Sequence, residues 1–193
     1  MSRTTAETKL LTVREDVALG EEELRLVVVA DTHGKPHPRS CELIAKERPN
    51  RILHAGDIGD LSVLDQLATI APVSAVRGNI DGHGADIPDA RIIAVRDGER
   101  TLLKLLLLHI AVNGPRLRAD AARLAQAEDA SVVVCGHSHV PFLGRDRGLV
   151  MFNPGSTGPR RFQLPILFGV IHVNRSRVEM RHIDCESGNV WRP

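Results

Sequence analysis

The chain has too few cysteines for a disulfide framework. Cys41, Cys135 and Cys185 are odd in number and widely separated among 193 residues, with no paired zinc spacing, so reduced, partly buried thiols of a cytoplasmic protein are expected. An excess of one charge is missing as well. The 25 basic and 24 acidic residues leave a net charge of +1, which gives no electrostatic footprint for nucleic acid or an anionic membrane. No apolar run is long enough for a bilayer: residues 102–112 contain Lys104 and His109 and fall far short of the roughly 20 residues a membrane helix needs. Residues 1–20 are polar and acidic, without the apolar core or small-residue cleavage site of a targeting segment. Repeats, low-complexity tracts and linkers are also absent. Residues 1–193 therefore read as one globular domain, with 42% apolar residues and residues 1–23 as a candidate N-terminal extension.

What the chain does have is a recurrence. Five short apolar runs each lead into a residue of metal-ligand type. Leu26-Val27-Val28-Val29-Ala30 leads into Asp31-Thr32-His33-Gly34, and Arg51-Ile52-Leu53-His54 into Gly56-Asp57. Val73-Ser74-Ala75-Val76 leads into Arg77-Gly78-Asn79-Ile80-Asp81, residues 105–108 into His109, and Val132-Val133-Val134-Cys135 into Gly136-His137-Ser138-His139. Such runs bounded by glycine read as buried strands. Ligands of an α/β sheet gather beyond the carboxyl ends of its strands. Side-by-side strands would bring Asp31, His33, Asp57, Asn79, His109, His137 and His139 to one edge, enough donors for more than one ion.

The remaining pattern predicts an α/β protein with mixed sheets. A short helix is expected at residues 40–48, stopped by Pro49, and a second one capped by Asp60 with Leu61, Leu64 and Ala68 on one face. Asp97-Gly98 between apolar runs predicts a hairpin of residues 91–95 with 100–108. Residues 115–128 read as a helix with Pro115 in its first turn and Leu117, Ala121, Leu124 and Ala125 on its inner face. Strands follow at 141–144, 149–152, 164–173 and 177–183, and residues 10–13 are a candidate edge strand.

Carboxylates, an amide oxygen and imidazoles, without cysteine, form a mixed oxygen and nitrogen set. It suits manganese, iron, zinc, cobalt or nickel over calcium. Two such ions about 3.5–4 Å apart form the usual clamp for hydrolytic displacement at phosphorus. Taken alone, Asp-x-His or His-x-His is weak, and a lone histidine is more often structural; five such elements in this order carry the inference together. His54 is read as orienting its turn, His172 and His182 as surface or satisfied core residues, and His37 and His83 as loop residues near the site.

The ordered set Asp31-Thr32-His33-Gly34, Gly56-Asp57, Gly78-Asn79-Ile80-Asp81, His109 and Gly136-His137-Ser138-His139 resembles the calcineurin-like metallophosphoesterase superfamily. The small size and Asn153-Pro154-Gly155-Ser156 resemble its compact prokaryotic phosphodiesterase branch, over residues 26–183 or so. The resemblance implies a four-layer αββα sandwich of two mixed sheets flanked by helices. It implies that Asp31, His33, Asp57 and His139 hold one metal, and that Asp57, Asn79, His109 and His137 hold the other. Two divalent transition-metal ions are implied, manganese first, with iron, zinc, nickel or cobalt as alternatives.

Two positions depart from that pattern. Many members carry histidine where this chain has Ile80, and isoleucine can neither donate a proton nor bond a phosphate oxygen. Glycine usually follows the fourth-motif histidine, whereas His109 is followed by Ile110-Ala111, which should reshape the pocket wall. The expected activity is hydrolysis of a small-molecule phosphoester, a diester before a monoester, by a metal-bridging hydroxide. Asn79 and Asp81 are the candidate catalytic side chains, Asp81 as an orienter, and Arg77, Arg160 or Arg161 the candidate phosphate contacts. A homo-oligomer is compatible with the sequence. The rival reading is a non-catalytic protein-binding scaffold, as in the retromer subunit of the superfamily, which has an apolar residue at the position of Ile80. A dinuclear amide or lactone hydrolase would order its motifs differently.

Overall fold

The computed structural model describes residues 10–82 and 86–193; the candidate loop residue His83 and the start of the N-terminal extension lie outside them. The elements in chain order are β1 (Thr12–Ala18), β2 (Glu23–Val29), α1 (Ser40–Lys46), β3 (Arg51–His54), α2 (Ser62–Ala68), β4 (Val73–Ala75) and β5 (Ala90–Asp97). Next come β6 (Arg100–Leu108), β7 (Val112–Asn113), β8 (Arg116–Leu117), α3 (Ala119–Ala127) and β9 (Val132–Val134). The chain closes with β10 (Phe142–Asp146), β11 (Leu149–Asn153), β12 (Leu167–Asn174), β13 (Val178–Asp184) and β14 (Val190–Trp191). One six-stranded sheet runs β1-β5-β6-β9-β11-β10, and the other runs β14-β13-β12-β2-β3-β4. Both mix parallel and antiparallel pairs.

Three apolar layers explain why the strand runs are continuous rather than alternating. On β2, Leu24, Leu26 and Val28 face the other sheet, meeting Ile93, Leu105, Leu107, Val132 and Val134. Val27 and Val29 on the opposite face meet Leu43 and Ile44 of α1 and Val63 and Leu67 of α2. On the second sheet, Leu106 and Val133 face outward onto Ala121, Ala122 and Ala125 of α3. A strand buried on both faces has no polar side to show, and so it reads as an unbroken apolar run. The resulting order, helix, sheet, sheet, helix, is the expected four-layer sandwich. Among the described residues no helix is long and apolar enough to cross a membrane.

Local chemistry shifted several expected elements. Pro115 does not open a helix; with Gly114 it forms the two-residue turn of a hairpin in which Val112 pairs Leu117 and Asn113 pairs Arg116. Gly114 takes the positive φ, +59°, that such a turn requires at its first central position, and α3 starts four residues after Pro115. In α2 the Asp60 carboxylate accepts the Ser62 N–H at 2.9 Å, but Val63 and Leu67 turn inward and Leu61 is 46% exposed. The edge strand expected at residues 10–13 begins two residues later and runs on to Ala18. All seven residues of β1 pair in parallel with β5, although only Val17 of that polar stretch is buried.

Candidate metal centre

The carboxyl ends of β2, β3 and β4, parallel neighbours in one sheet, meet those of β6 and β9, parallel neighbours in the other. Backbone bonds then continue the pairing into the loops. Asp31 N–H donates to Gly56 O at 3.0 Å, His33 N–H to Asp57 O at 3.0 Å, and Gly136 N–H to His109 O at 3.0 Å. Asp31, His33, Asp57, His137 and His139 all hold left-handed backbone conformations, with φ between +48° and +69°. A non-glycine residue adopts this region at a cost, and concentrations of such strain mark functional sites. Gly78 is required by proximity, since a Cβ there would lie 2.1 Å from Asp57 N.

Six side chains form two groups of donor atoms, Asp31, His33 and His139 in one and Asp57, His109 and His137 in the other, each within 4.8 Å. His33 Nε2 and His139 Nε2 are 3.2 Å apart, and His139 Nε2 lies 3.5 Å from Asp31 Oδ1. In the second group Asp57 Oδ1 lies 3.2 Å from His109 Nε2, and Asn79 Oδ1 is 3.0 Å from both His109 Nε2 and His137 Nδ1. Asp57 also reaches toward the first group, its Oδ2 being 4.0 Å from His33 Nε2. The His137 N–H ties the groups from the other side by donating to Asp31 Oδ2 at 2.9 Å.

The electrostatics fit a cation. Burial, with Asp57 nearby adding to it against the opposing pull of His109, raises the Asp31 carboxyl to about 7. For Asp57 burial is outweighed by the bond and charge of His109, the Ile80 N–H and His33, which together lower it to about 2. Burial, aided by Arg161 and His33, lowers His139 to about 4 and keeps it a neutral donor. Burial likewise lowers His33 and His137, while for His109 it is overcome by the Asp57 carboxylate and the Ala55 carbonyl, which raise it. His109 pairs with Asp57, but the Asp31 carboxyl is pushed toward its neutral form beside His33 and His139, which burial also keeps neutral, so this part of the site is short of positive charge. The donor set, oxygen and imidazole nitrogen without thiolate, is one that borderline transition metals take.

The other expected residues separate into distinct places. Asp81 accepts three backbone N–H groups, from Gly78 at 2.8 Å, Gly59 at 2.9 Å and Ile58 at 3.1 Å, and so pins three site loops. Arg77 is ion-paired with Asp89 in a groove beside Asn79 and His109. Arg160 turns to Glu186 and the Leu164 carbonyl, whereas Arg161 Nη2 stands 3.2 Å from His33 Nε2. His54 is fully buried and lowered to about 4 by burial. Its Nδ1 accepts the Gly56 N–H, which leaves Nε2 to donate to Thr32 Oγ1, whose own hydrogen goes to Ile58 O. It orients the turn, as expected. His37 accepts the Arg39 N–H, His172 pairs with Glu23, and His182 bonds the Asn153 carbonyl. Asn153 and Ser156 support the site from β11 onward: Asn153 Nδ2 donates to Gly136 O at 2.8 Å and Ser156 Oγ to Asp31 O at 2.9 Å.

Residues 24–176 match the calcineurin-like phosphoesterase superfamily domain, and the chain belongs to that superfamily. It is 38% identical over 112 residues to a probable metallophosphoesterase of Methanothermobacter thermautotrophicus, across 56% of this chain and 62% of that protein. A probable metallophosphoesterase of Methanocaldococcus jannaschii is 35% identical over 140 residues, across 69% of this chain and 68% of that one. The chain thus spans less than two thirds of the length of the first of these relatives. Among solved structures, Vacuolar Protein Sorting 29 from Cryptosporidium parvum superposes with a TM-score of 0.71 at 19% identity, covering 88% of this chain and 95% of that one, a likeness of fold alone.

Proposed function

We propose that this protein is a two-metal phosphodiesterase. The observation that carries the reading is the pair of donor groups, Asp31/His33/His139 and Asp57/His109/His137, with Asp57 reaching both. Asp31, His33, Asp57 and His139 would hold one ion, and Asp57, Asn79, His109 and His137 the other. When bound, such a pair of ions supplies an activated water and neutralises charge at phosphorus. The protein's own part is positioning. Asp81 holds the loops that carry Asp57 and Asn79, and His54 holds the Gly56 turn. Arg161, beside His33, would take a phosphate oxygen, whereas Arg77, in the groove by Asn79, is engaged with Asp89. Ile80, 49% exposed and unable to give a proton, favours esters whose leaving group departs without acid help.

Purified protein stripped with a chelator and reloaded with Mn²⁺ provides the test. Recovery of close to two ions per chain together with turnover of bis(p-nitrophenyl) phosphate is expected. Failure to bind any transition metal sinks the reading. A second reading, a protein-binding scaffold, draws on the exposed apolar Ile80 and Leu61; full metal loading without turnover of any phosphoester would favour it.

A further inference from the structure

Two grooves open at the second donor group, one on either side of Ile110. The first, about 390 Å³, runs past His109 and is walled by Arg77, Asn79, Asp81, Asp89 and Asp120, with Leu10 and Leu108 behind. The second, about 710 Å³, runs past His137 and Ser138 and is walled by Val112, Pro115, Val140 and Phe142. Ile110 and Arg118 line both and form the partition between them. Both volumes fall in the ~300–1,000 Å³ range of small-molecule sites.

The two sides differ in chemistry. In the first groove the ionic groups engage one another. Arg77 pairs with Asp89, Arg118 pairs with Asp120 at 3.1 Å, and Asp81 accepts backbone N–H groups. With charge balanced locally, a second anionic group gains little there, while a dense set of donors and acceptors suits hydroxyls. Apart from Arg118 at the partition and His137 at the site end, the second groove presents no ionisable side chain among its described lining residues. It suits a group that leaves water on binding. A phosphodiester held at the second donor group would find one groove for each of its two arms, and a monoester would use only one.

We propose that the site takes a phosphodiester with unlike arms, a hydroxyl-bearing arm beside Asn79 and His109 and an aryl or alkyl arm beside His137. Ile110 and Arg118 are the specificity-determining partition. The inference rests on the phosphodiesterase reading above and narrows its substrate class. Ile110 is one of the two side chains that line both grooves, and glycine there would remove its share of the wall.

The test compares 2,3-dihydroxypropyl phenyl phosphate with diphenyl phosphate on the manganese-loaded protein. Both lose phenolate, so the leaving group is constant and only the second arm changes. The mixed ester should show kcat/KM higher by about tenfold or more, the scale on which pocket contacts discriminate between substrates. Ile110→Gly should bring that ratio to within about threefold of one at unchanged metal content. Val140→Asp should raise KM for both phenyl esters. It also serves as the second probe if the glycine variant fails to fold. Equal kcat/KM for the two esters in the natural protein, or a ratio unmoved in a folded, metal-loaded Ile110→Gly variant, overturns the two-arm inference. No turnover of either ester at full metal loading overturns the phosphodiesterase reading itself.

Discussion

His33 and His139 stack with ring centroids 5.2 Å apart and their Nε2 atoms 3.2 Å apart, although 106 residues separate them in the chain. One neutral ring can bridge this gap with its Nε2–H; with both protons on Nδ1 the two Nε2 lone pairs converge instead. Burial lowers both imidazoles and so disfavours their charged forms. Two neutral imidazoles converging beside Asp31 suit a cation.

The two donor groups should respond unequally to substitution. Asp57 faces both groups, through Oδ1 to His109 and Oδ2 to His33. Asp57→Ala is expected to lose both ions, and His139→Ala mainly one. Elemental analysis, with circular dichroism to confirm folding, separates these outcomes. Equal partial loss in the two variants would remove Asp57 from the bridging position.

Asp81 acts on the loops rather than on phosphorus. Its removal leaves the N–H groups of Ile58, Gly59 and Gly78 without their acceptor. Hydrogen bonds to charged groups contribute about 1.5–3 kcal/mol each, less where water can replace them. Asp81→Ala should therefore lower unfolding stability by about 2–4 kcal/mol and weaken metal affinity. Urea denaturation of the chelated protein measures the first effect, and unchanged stability would refute the pinning role.

His54 should make stability depend on pH. Its folded pKa is held at about 4, below the ordinary 6.5, because the charged form cannot be hydrated in the core. The unfolded chain thus binds the proton more readily. The contribution is fully present above pH 6.5 and is lost as pH falls toward 4, by on the order of 3 kcal/mol. Asp31, raised to about 7, works in the opposite sense: its contribution is full below the ordinary 3.8 and is lost as pH rises through 7. Denaturation curves of His54→Gln and the natural protein, both metal-free, should converge as pH falls across this window. Parallel curves would exclude His54 as the titrating group.

Ile80→His should raise activity on alkyl monoesters relative to nitrophenyl diesters. General acid catalysis contributes about 10²–10⁴-fold where the leaving group is poor and little where it is nitrophenolate. The Ile80 side chain is half exposed and its backbone N–H already serves Asp57, so an imidazole there has water around it and strips no bond from the site. A folded, fully metallated variant with no relative gain would separate Ile80 from substrate preference.

The sequence alone marked an α/β protein with mixed sheets and the residues that meet at a sheet edge; the sandwich of two sheets came from the family resemblance and the strand order from the structure. Burial on both faces makes β2, β6 and β9 legible as unbroken apolar runs, and a donor at each run's end marks where parallel strands deliver their loops. Polar β1 was only partly legible because an edge strand is held by backbone bonds, which every residue can make. The turn at Gly114-Pro115 was misread because proline suits a helix start and a hairpin equally, and the choice fell to the pairing of Val112 with Leu117. Tertiary structure alone decided that Arg161 rather than Arg160 stands at His33, since adjacent side chains on a loop diverge and no periodicity tells which one faces inward. The division of the donors into two groups was already implied by the family resemblance, but the distances within each group and the left-handed backbone at five donors came only from the structure. Both depend on loops far apart in the chain, brought together by the packing of one sheet on the other.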